Sequence, residues 1–156
     1  MKTKSLTTSF MLLFSVALAF GVTGCVCSNM NGGGTLETAT EKKATFAFQI
    51  KCDDSSEVPV ASGMLQFNDH SEGIKFHAAV DSCDWTTETE GTFYGTYTPQ
   101  PKKLGKGGNF AITLQDGGNG KAGISGDFAS ITLTGGIYNG YSISGNLSGG
   151  NIKAKK

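Results

Sequence analysis

The chain has no arginine, and among its 156 residues there are only two histidines, one tryptophan and three prolines. All 13 basic residues are lysines, so the chain lacks the planar guanidinium that binds phosphates and bases through paired hydrogen bonds. After the first 24 residues, eleven lysines stand against thirteen acids. This balance argues against a nucleic-acid partner. The chain also lacks a persuasive Ser-His-Asp order, paired-carboxylate motif or phosphate loop, and we predict that it is not an enzyme.

Glycine is abundant, at 23 residues, and it separates short stretches in which apolar and polar residues alternate. Glycine without proline is typical of tight turns between strands, and no stretch after residue 24 has the 3.6-residue period of a helix. We therefore predict an all-β domain over residues 44–156, an antiparallel β-sandwich or small barrel of about 7–8 strands. The predicted strands are 45–51, 60–68, 74–81, 92–98, 110–114, 128–134, 138–147 and a short strand around Ile152.

The first 24 residues have the features of an export signal. Lys2 and Lys4 give a positive start, and residues 10–22 form an apolar run that is too short to span a bilayer comfortably. The run leads into Val22-Thr23-Gly24-Cys25, which resembles the lipobox of bacterial lipoproteins. The resemblance implies that Cys25 becomes the N-terminus and carries a diacylglycerol on Sγ and a further acyl chain, such as palmitate, on its amine. The membrane is then a partner through this lipid anchor.

The residues around Cys25 also offer a second possible cleavage site and an indication of which membrane would hold the protein. Cleavage after Ala17-Leu18-Ala19 would instead release a soluble secreted protein. If Cys25 is lipidated, the resemblance places the protein in the bacterial cell envelope. Val26 stands where an aspartate would retain a Gram-negative lipoprotein in the inner membrane, which favours the outer membrane in such a cell.

Residues 25–43 show no hydrophobic periodicity and contain Asn31-Gly32-Gly33-Gly34, a composition typical of flexible linkers. We predict that they form a disordered tether between lipid and domain. Cys27 within the tether is interpreted as either a second acylation site or an unpaired thiol. For the other two cysteines, export to an oxidising compartment and an up-and-down strand order predict a disulfide between Cys52 and Cys83. Two buried free thiols are the alternative.

Five segments between residues 61 and 152 contain an acidic glycine turn, a Gly-Asp-x-Phe strand start and a closing glycine–asparagine pattern. They are 65–80, 110–118, Gly126-Asp127-Phe128, Gly145-Asn146-Leu147 and Gly150-Asn151-Ile152. Together they resemble the β-rich domain that follows choice-of-anchor modules in bacterial surface proteins. The resemblance implies a cell-surface β module without an established activity.

Oxygen-bearing side chains around one glycine turn suggest a calcium site. Asp116, Asn119 and Asp127 could supply the oxygen ligands that calcium prefers. The alternative is ordinary turn chemistry, in which such side chains bond their own backbone. No other cofactor is predicted.

Other residues give weaker candidates for binding. Asp69, His70, Glu72 and His77 could hold a transition metal. The simpler interpretation is that the two histidines merely face solvent. Five aromatic residues could stack on sugars or pack within the sheet, and two lysine groups could contact anionic lipid or polysaccharide. The aromatic residues are Trp85, Tyr94, Tyr97, Tyr138 and Tyr141, and the lysine groups are Lys102, Lys103 and Lys106 and Lys153, Lys155 and Lys156.

These observations predict a membrane-anchored envelope lipoprotein with a non-catalytic β module for interaction or a structural role, whose partner is another envelope protein or a glycan. The alternative is a carrier with a β-barrel cavity for a small apolar ligand. The phenylalanines that remain after the leader give the carrier some weight.

Overall fold

The structure, a computed structural model, describes residues 28–37, 43–53, 55, 60–118 and 126–155. The predicted leader, the lipidation residue Cys25, Cys27 and Asn119 lie outside these ranges. Nine strands and one short 3-10 helix make up the described part of the chain. They are β1 (Asn29–Glu37), β2 (Lys43–Asp53), β3 (Val60–Asp69), β4 (Ile74–Thr87), β5 (Glu90–Pro99), the 3-10 helix (Lys102–Leu104), β6 (Gly108–Gln115), β7 (Phe128–Thr134), β8 (Ser142–Asn146) and β9 (Gly149–Lys155).

All nine strands belong to one antiparallel sheet in the order β8-β7-β6-β5-β4-β3-β2-β1-β9. The sheet curls into a half-barrel. Its two edge strands, β8 and β9, are separated in sequence only by Leu147 and Ser148, so the edges meet at this corner. The predicted all-β antiparallel class is confirmed, with a single curled sheet in place of two stacked sheets.

The core lies on the concave face of the curled sheet. In β2, the side chains of Phe46, Phe48 and Ile50 are buried while their neighbours are exposed. The same two-residue alternation runs through Ile74 and Phe76 in β4, as expected for strands with one buried face. The concave side chains of the sheet form one continuous hydrophobic cluster that also includes Leu36, Leu147 and Ile152.

The predicted disordered tether is wrong for Asn29–Glu37. These residues form β1, which lies between β2 and β9 and pairs with both. The three glycines are needed for close approach of the backbones. A Cβ on Gly33 would lie 2.4 Å from the carbonyl oxygen of Phe46, and one on Gly32 would lie 2.2 Å from that of Asn151. The three glycines, which the sequence analysis interpreted as a flexible linker, therefore allow close approach of neighbouring strands.

The predicted disulfide between Cys52 and Cys83 is also wrong. Cys52 in β2 pairs with Ala61 in β3, and Cys83 lies in β4, on the other side of β3. Two strand spacings separate them by roughly 9.6 Å, beyond the ~7 Å limit for bridged Cα atoms. Cys52 is nevertheless disulfide-bonded. The strand order was anticipated correctly, but β3 stands between the two cysteines.

The strands alternate in direction, so the half-barrel has two rims of different composition. The N-terminal rim holds the start of β1 and the end of β9, where Asn29 pairs with Lys155. It also holds the ends of β2, β4 and β6. The opposite rim holds the β3–β4 turn, the β5–β6 connection with the 3-10 helix, and the residues that join β7 to β8. Within the described ranges no helix is long and apolar enough to cross a membrane.

Candidate functional site

The acidic residues between β6 and β7 meet the free edge of β9. Asp127 is 2% exposed, and its two oxygens accept hydrogen bonds from the backbone N–H of Gly117 at 2.9 Å and of Ile152 at 2.9 Å. Asp116 accepts from the N–H of Gly118 and of Ala154, both at 2.9 Å. Ile152 and Ala154 are alternate residues of β9, so the two carboxylates occupy the place of a further strand along that edge.

The same geometry bears on the predicted calcium site. The structure brings Asp116 and Asp127 together, both around Gly117 and β9, while Asn119 lies outside the described residues. All four carboxylate oxygens accept backbone hydrogen bonds. Within the described part of the chain, no group of three or more His, Cys, Asp or Glu side chains is placed to hold a metal ion. What these carboxylates do in the structure is stabilise the sheet edge.

A second buried carboxylate lies at the opposite rim. Asp69 ends β3 and is 2% exposed. One oxygen accepts hydrogen bonds from Ser71, through its backbone N–H at 2.7 Å and its hydroxyl, and from the backbone N–H of Glu72 at 3.2 Å. The other oxygen accepts from the hydroxyl of Tyr141 at 2.7 Å. The carboxylate thus joins the β3–β4 turn to the segment before β8.

Burial and hydrogen bonding act in opposite directions on this pair. Burial disfavours the charged form of Asp69, but the hydrogen bonds from Ser71, Tyr141 and Glu72 outweigh it and hold the pKa of this carboxyl below its ordinary value. Burial, and then the hydrogen bond to Asp69, raise the pKa of Tyr141 well above its ordinary value. These shifts favour a neutral Tyr141 hydroxyl that donates a hydrogen bond to an ionised Asp69 carboxylate. The hydrogen bond links the β3–β4 turn to the segment before β8.

The segment between β7 and β8 covers the concave face at this rim. The Tyr97 hydroxyl donates to the carbonyl oxygen of Gly135 at 2.7 Å and accepts from the N–H of Tyr138 at 3.1 Å. The Tyr97 and Tyr138 rings stack at 5.9 Å, and Tyr141 packs edge-on against Phe67. This segment was predicted as the first half of a strand, but its tyrosines are used to close the core.

The five candidate sugar-stacking aromatics do not form one surface. Tyr97 is buried, and Tyr138, Tyr141 and Trp85 pack against the core. Tyr94 is exposed on the convex face, where its hydroxyl donates to Asp84 at 3.0 Å, and this hydrogen bond raises its pKa.

The candidate transition-metal residues are likewise separated. Asp69 is buried and bonded to Tyr141, whereas His77 is exposed on the convex face of β4. His70 lies in the turn beside Asn68, with 3.0 Å between the side-chain nitrogens. The structure does not bring these residues together at one site.

The depressions in the described surface include two grooves on the convex face. One is lined by polar side chains of β2, β3 and β4, among them Thr45, Gln66, Asn68 and His77. The other crosses β4 to β7 and includes Asp81, Tyr94, Asn109 and Thr132. Both are open depressions, and apolar residues such as Phe46 and Phe110 line them together with the polar ones. Neither encloses a space of the kind that holds a small apolar ligand.

No protein-family model, curated protein or solved structure matches this chain. The resemblances to bacterial lipoproteins and to the domain that follows choice-of-anchor modules therefore remain predictions.

Sequence reasoning missed the link between Asp69 and Tyr141 and the true role of Asp127. The signal for Asp69 was present, since an aspartate followed by Ser71 and Glu72 at a strand end is typical of an Asx turn. No local pattern connects Asp127 with Ile152, because that contact depends on the pairing of the two ends of the sheet.

Proposed function

We propose that the chain is a lipoprotein of the bacterial cell envelope, anchored through lipid on Cys25, whose half-barrel binds or braces another envelope component and does not catalyse a reaction. The observation that carries this proposal is the short interval between Cys25 and the sheet. β1 begins at Asn29, four residues after the cysteine of Val22-Thr23-Gly24-Cys25. Four extended residues span at most ~14 Å, so such an anchor would hold the sheet close to the membrane surface.

The way the concave face is filled favours an interaction module over a carrier. Phe76, Phe93 and Ile131 are completely buried there, and they pack with aliphatic side chains from the other strands. The Tyr97–Tyr138 stack covers one rim. A carrier needs inward positions that leave space for its ligand, and these positions are occupied by the chain's own side chains. The polar convex face is the surface left for a protein or glycan partner.

The location in the cell is proposed on the same basis. Two or three acyl chains on Cys25 would hold the protein firmly on a membrane, since each buried CH₂ contributes about 0.8 kcal/mol. Val26 after Cys25 supports the outer membrane if the bacterium is Gram-negative. The resemblance to the domain that follows choice-of-anchor modules agrees with an envelope location.

The experiment is metabolic labelling with an alkyne analogue of palmitate, followed by purification of the full-length protein and of two variants. Cys25→Ala should abolish the label, because it removes the sulfur that receives lipid. Cys27→Ala is the matched control, with the same change two residues away, and it should keep the label. Intact mass should show that Cys25 is the first residue of the labelled protein.

Two results would contradict the proposal. Equal labelling of the original protein and the Cys25→Ala variant would mean that lipid is attached elsewhere. An unlabelled original protein that begins after residue 19 would support the secreted alternative.

A further inference from the structure

Two groups of exposed lysines that the sequence singled out lie at opposite rims of the half-barrel. Lys102, Lys103 and Lys106 lie in the connection between β5 and β6, at the opposite rim. Lys153 and Lys155 lie at the end of β9, at the N-terminal rim. The sequence offered both groups as candidates for anionic lipid. Because Cys25 precedes β1, only the second group lies on the side from which an anchor would leave the sheet.

Pairing of three strands gathers the second group into a row. Ile50 pairs with Met30, so Lys51 lies beside Asn29, and Asn29 pairs with Lys155 on its other side. The N–H of Cys52 donates to Oδ1 of Asn29 at 3.0 Å, which confirms how closely β2 and β1 approach here. Lys153 pairs with Asn31, two residues further along β1. We call Lys51, Lys153 and Lys155 the basic row.

The basic row is a compact patch on the convex face. Its lysines are exposed because they alternate with inward residues such as Ile50 and Ile152. Strand spacing places the Cα atoms of Lys51 and Lys155 about 10 Å apart, and those of Lys153 and Lys155 about 7 Å apart. This spread is comparable to the footprint of a few lipid headgroups and lies within the Debye length of about 8–10 Å.

Two carboxylates near the basic row accept hydrogen bonds from the protein's own backbone. Asp53 accepts from the N–H of Ser55 at 2.9 Å, and Asp116 accepts from the N–H of Gly118 and Ala154. The other acids of this rim include Glu88 and Glu90, at the β4–β5 hairpin, which is several strands away. Lys51, Lys153 and Lys155 are thus exposed together on the convex faces of β2 and β9, with Asp53 as an exposed acid at the end of β2.

We propose that the basic row binds the headgroups of anionic lipids in the membrane that carries Cys25. The convex faces of β2, β1 and β9 then lie against the surface, and the lysine-rich connection between β5 and β6 points away from it. Asn29, at the centre of the row, is four residues from Cys25, so lipid and lysines reach the same surface. Each lysine near an anionic surface strengthens binding roughly fivefold. The orientation rests on the proposed anchor, whereas the affinity of the row for anionic lipid does not.

The test measures the reactivity of individual lysines with a membrane-impermeant acylating reagent. The purified lipidated protein is reconstituted in vesicles of phosphatidylcholine, with and without phosphatidylglycerol, and labelling is quantified by peptide mass spectrometry. Lys51, Lys153 and Lys155 should react severalfold more slowly in the anionic vesicles. Lys102, Lys103 and Lys106 are the internal control and should react at the same rate in both.

Paired substitutions separate a binding surface from simple crowding by the anchor. Lys153→Gln with Lys155→Gln should restore the reactivity of Lys51 in anionic vesicles, whereas Lys102→Gln with Lys103→Gln should not. Equal reactivity of the basic row in both vesicle types would overturn the proposal. Slower labelling of the β5–β6 lysines in the anionic vesicles would overturn it too, because the opposite rim would then face the membrane.

Failure of the proposed anchor gives a different signature. If intact mass shows no lipid on Cys25, the unlipidated protein is sedimented with the same two vesicle types. Binding to the phosphatidylglycerol vesicles that is weakened by Lys153→Gln with Lys155→Gln supports the basic row without the anchor. No difference between the two vesicle types rejects it.

Discussion

Asp127 shows at the scale of one residue how a polar side chain can complete a sheet. Its carboxylate accepts one hydrogen bond from the loop at Gly117 and one from the strand edge at Ile152. Both donors are backbone groups that would otherwise remain buried or unpaired near the core, at a cost of about 1–3 kcal/mol each. The residue therefore stabilises the corner where β9 passes the β6–β7 connection.

Replacement of Asp127 by asparagine should destabilise the protein by about 2–4 kcal/mol, because one carboxylate oxygen becomes an NH₂ group that faces a backbone N–H donor. The measurement is urea unfolding followed by circular dichroism. Asp81→Asn is the control, since Asp81 is exposed on β4 and should change stability by less than about 0.5 kcal/mol. Equal effects of the two substitutions would contradict this role for Asp127.

Tyr141 and Asp69 give a prediction for pH dependence. The pKa of Asp69 is lowered in the folded state. The ionised carboxylate therefore contributes fully to stability above its ordinary pKa of 3.8, and this contribution is lost as the pH falls through the folded pKa. Tyr141→Phe removes one hydrogen bond that holds this pKa down, so the loss of stability on acidification should begin at a higher pH. Urea unfolding between neutral and acidic pH should show the variant destabilised by about 1–3 kcal/mol at neutral pH, with a smaller difference in acid. A constant difference would argue against the link.

At the scale of the element, β1 is where the sequence was most misleading. Three consecutive glycines are typical of a linker, yet Gly32, Gly33 and Gly34 lie in a strand that is paired on both sides. Each would place a Cβ within 2.4 Å of an atom of a neighbouring residue. The missing side chains allow β2, β1 and β9 to approach at the tightest part of the curled sheet.

Gly33→Ala should therefore destabilise the protein by about 1–3 kcal/mol, because its Cβ would overlap the backbone of β2. Gly145→Ala in β8 is the matched control, since its Cβ would meet only a Leu36 methyl group, at 4.0 Å. The melting temperature of each variant gives the comparison. If Gly33→Ala melts like the original protein, β1 is not packed as tightly as described.

The pairing of β1 with β2 also bears on the cysteines. Cys52 is disulfide-bonded and β3 separates it from Cys83, so Cys83→Ala should leave the disulfide in place. Peptide mapping under non-reducing conditions should therefore find the Cys52 linkage retained in Cys83→Ala. Loss of the linkage in Cys83→Ala would contradict the strand order.

At the scale of the whole molecule, the nine strands enclose one core that their own side chains fill. The sheet edges meet at Leu147 and Ser148, and Tyr97 and Tyr138 close the opposite rim. This arrangement leaves the convex face and the two rims as the surfaces for contact. It also places the start of β1 and the end of β9, Asn29 and Lys155, side by side.

Native mass spectrometry of the protein, released from detergent in the gas phase, tests whether the core holds a ligand. We expect the mass of the chain and its acyl groups alone, because the concave positions are occupied. An additional mass of several hundred daltons that persists in the Cys25→Ala variant would instead support the carrier. A calcium-sized increment that a chelator removes would revive the site at Asp116 and Asp127.

The alternation of residues such as Phe46, Phe48 and Ile50 by itself determined the all-β class and the buried face of most strands, because side-chain direction in a strand depends only on neighbours in the chain. Only the tertiary structure decided that Gly32, Gly33 and Gly34 form a strand and that the Asp127 carboxylate accepts a hydrogen bond from β9. Those outcomes depend on which distant strands become neighbours. Residues 29–35 pair with residues 149–155, and no local pattern encodes a contact across that separation.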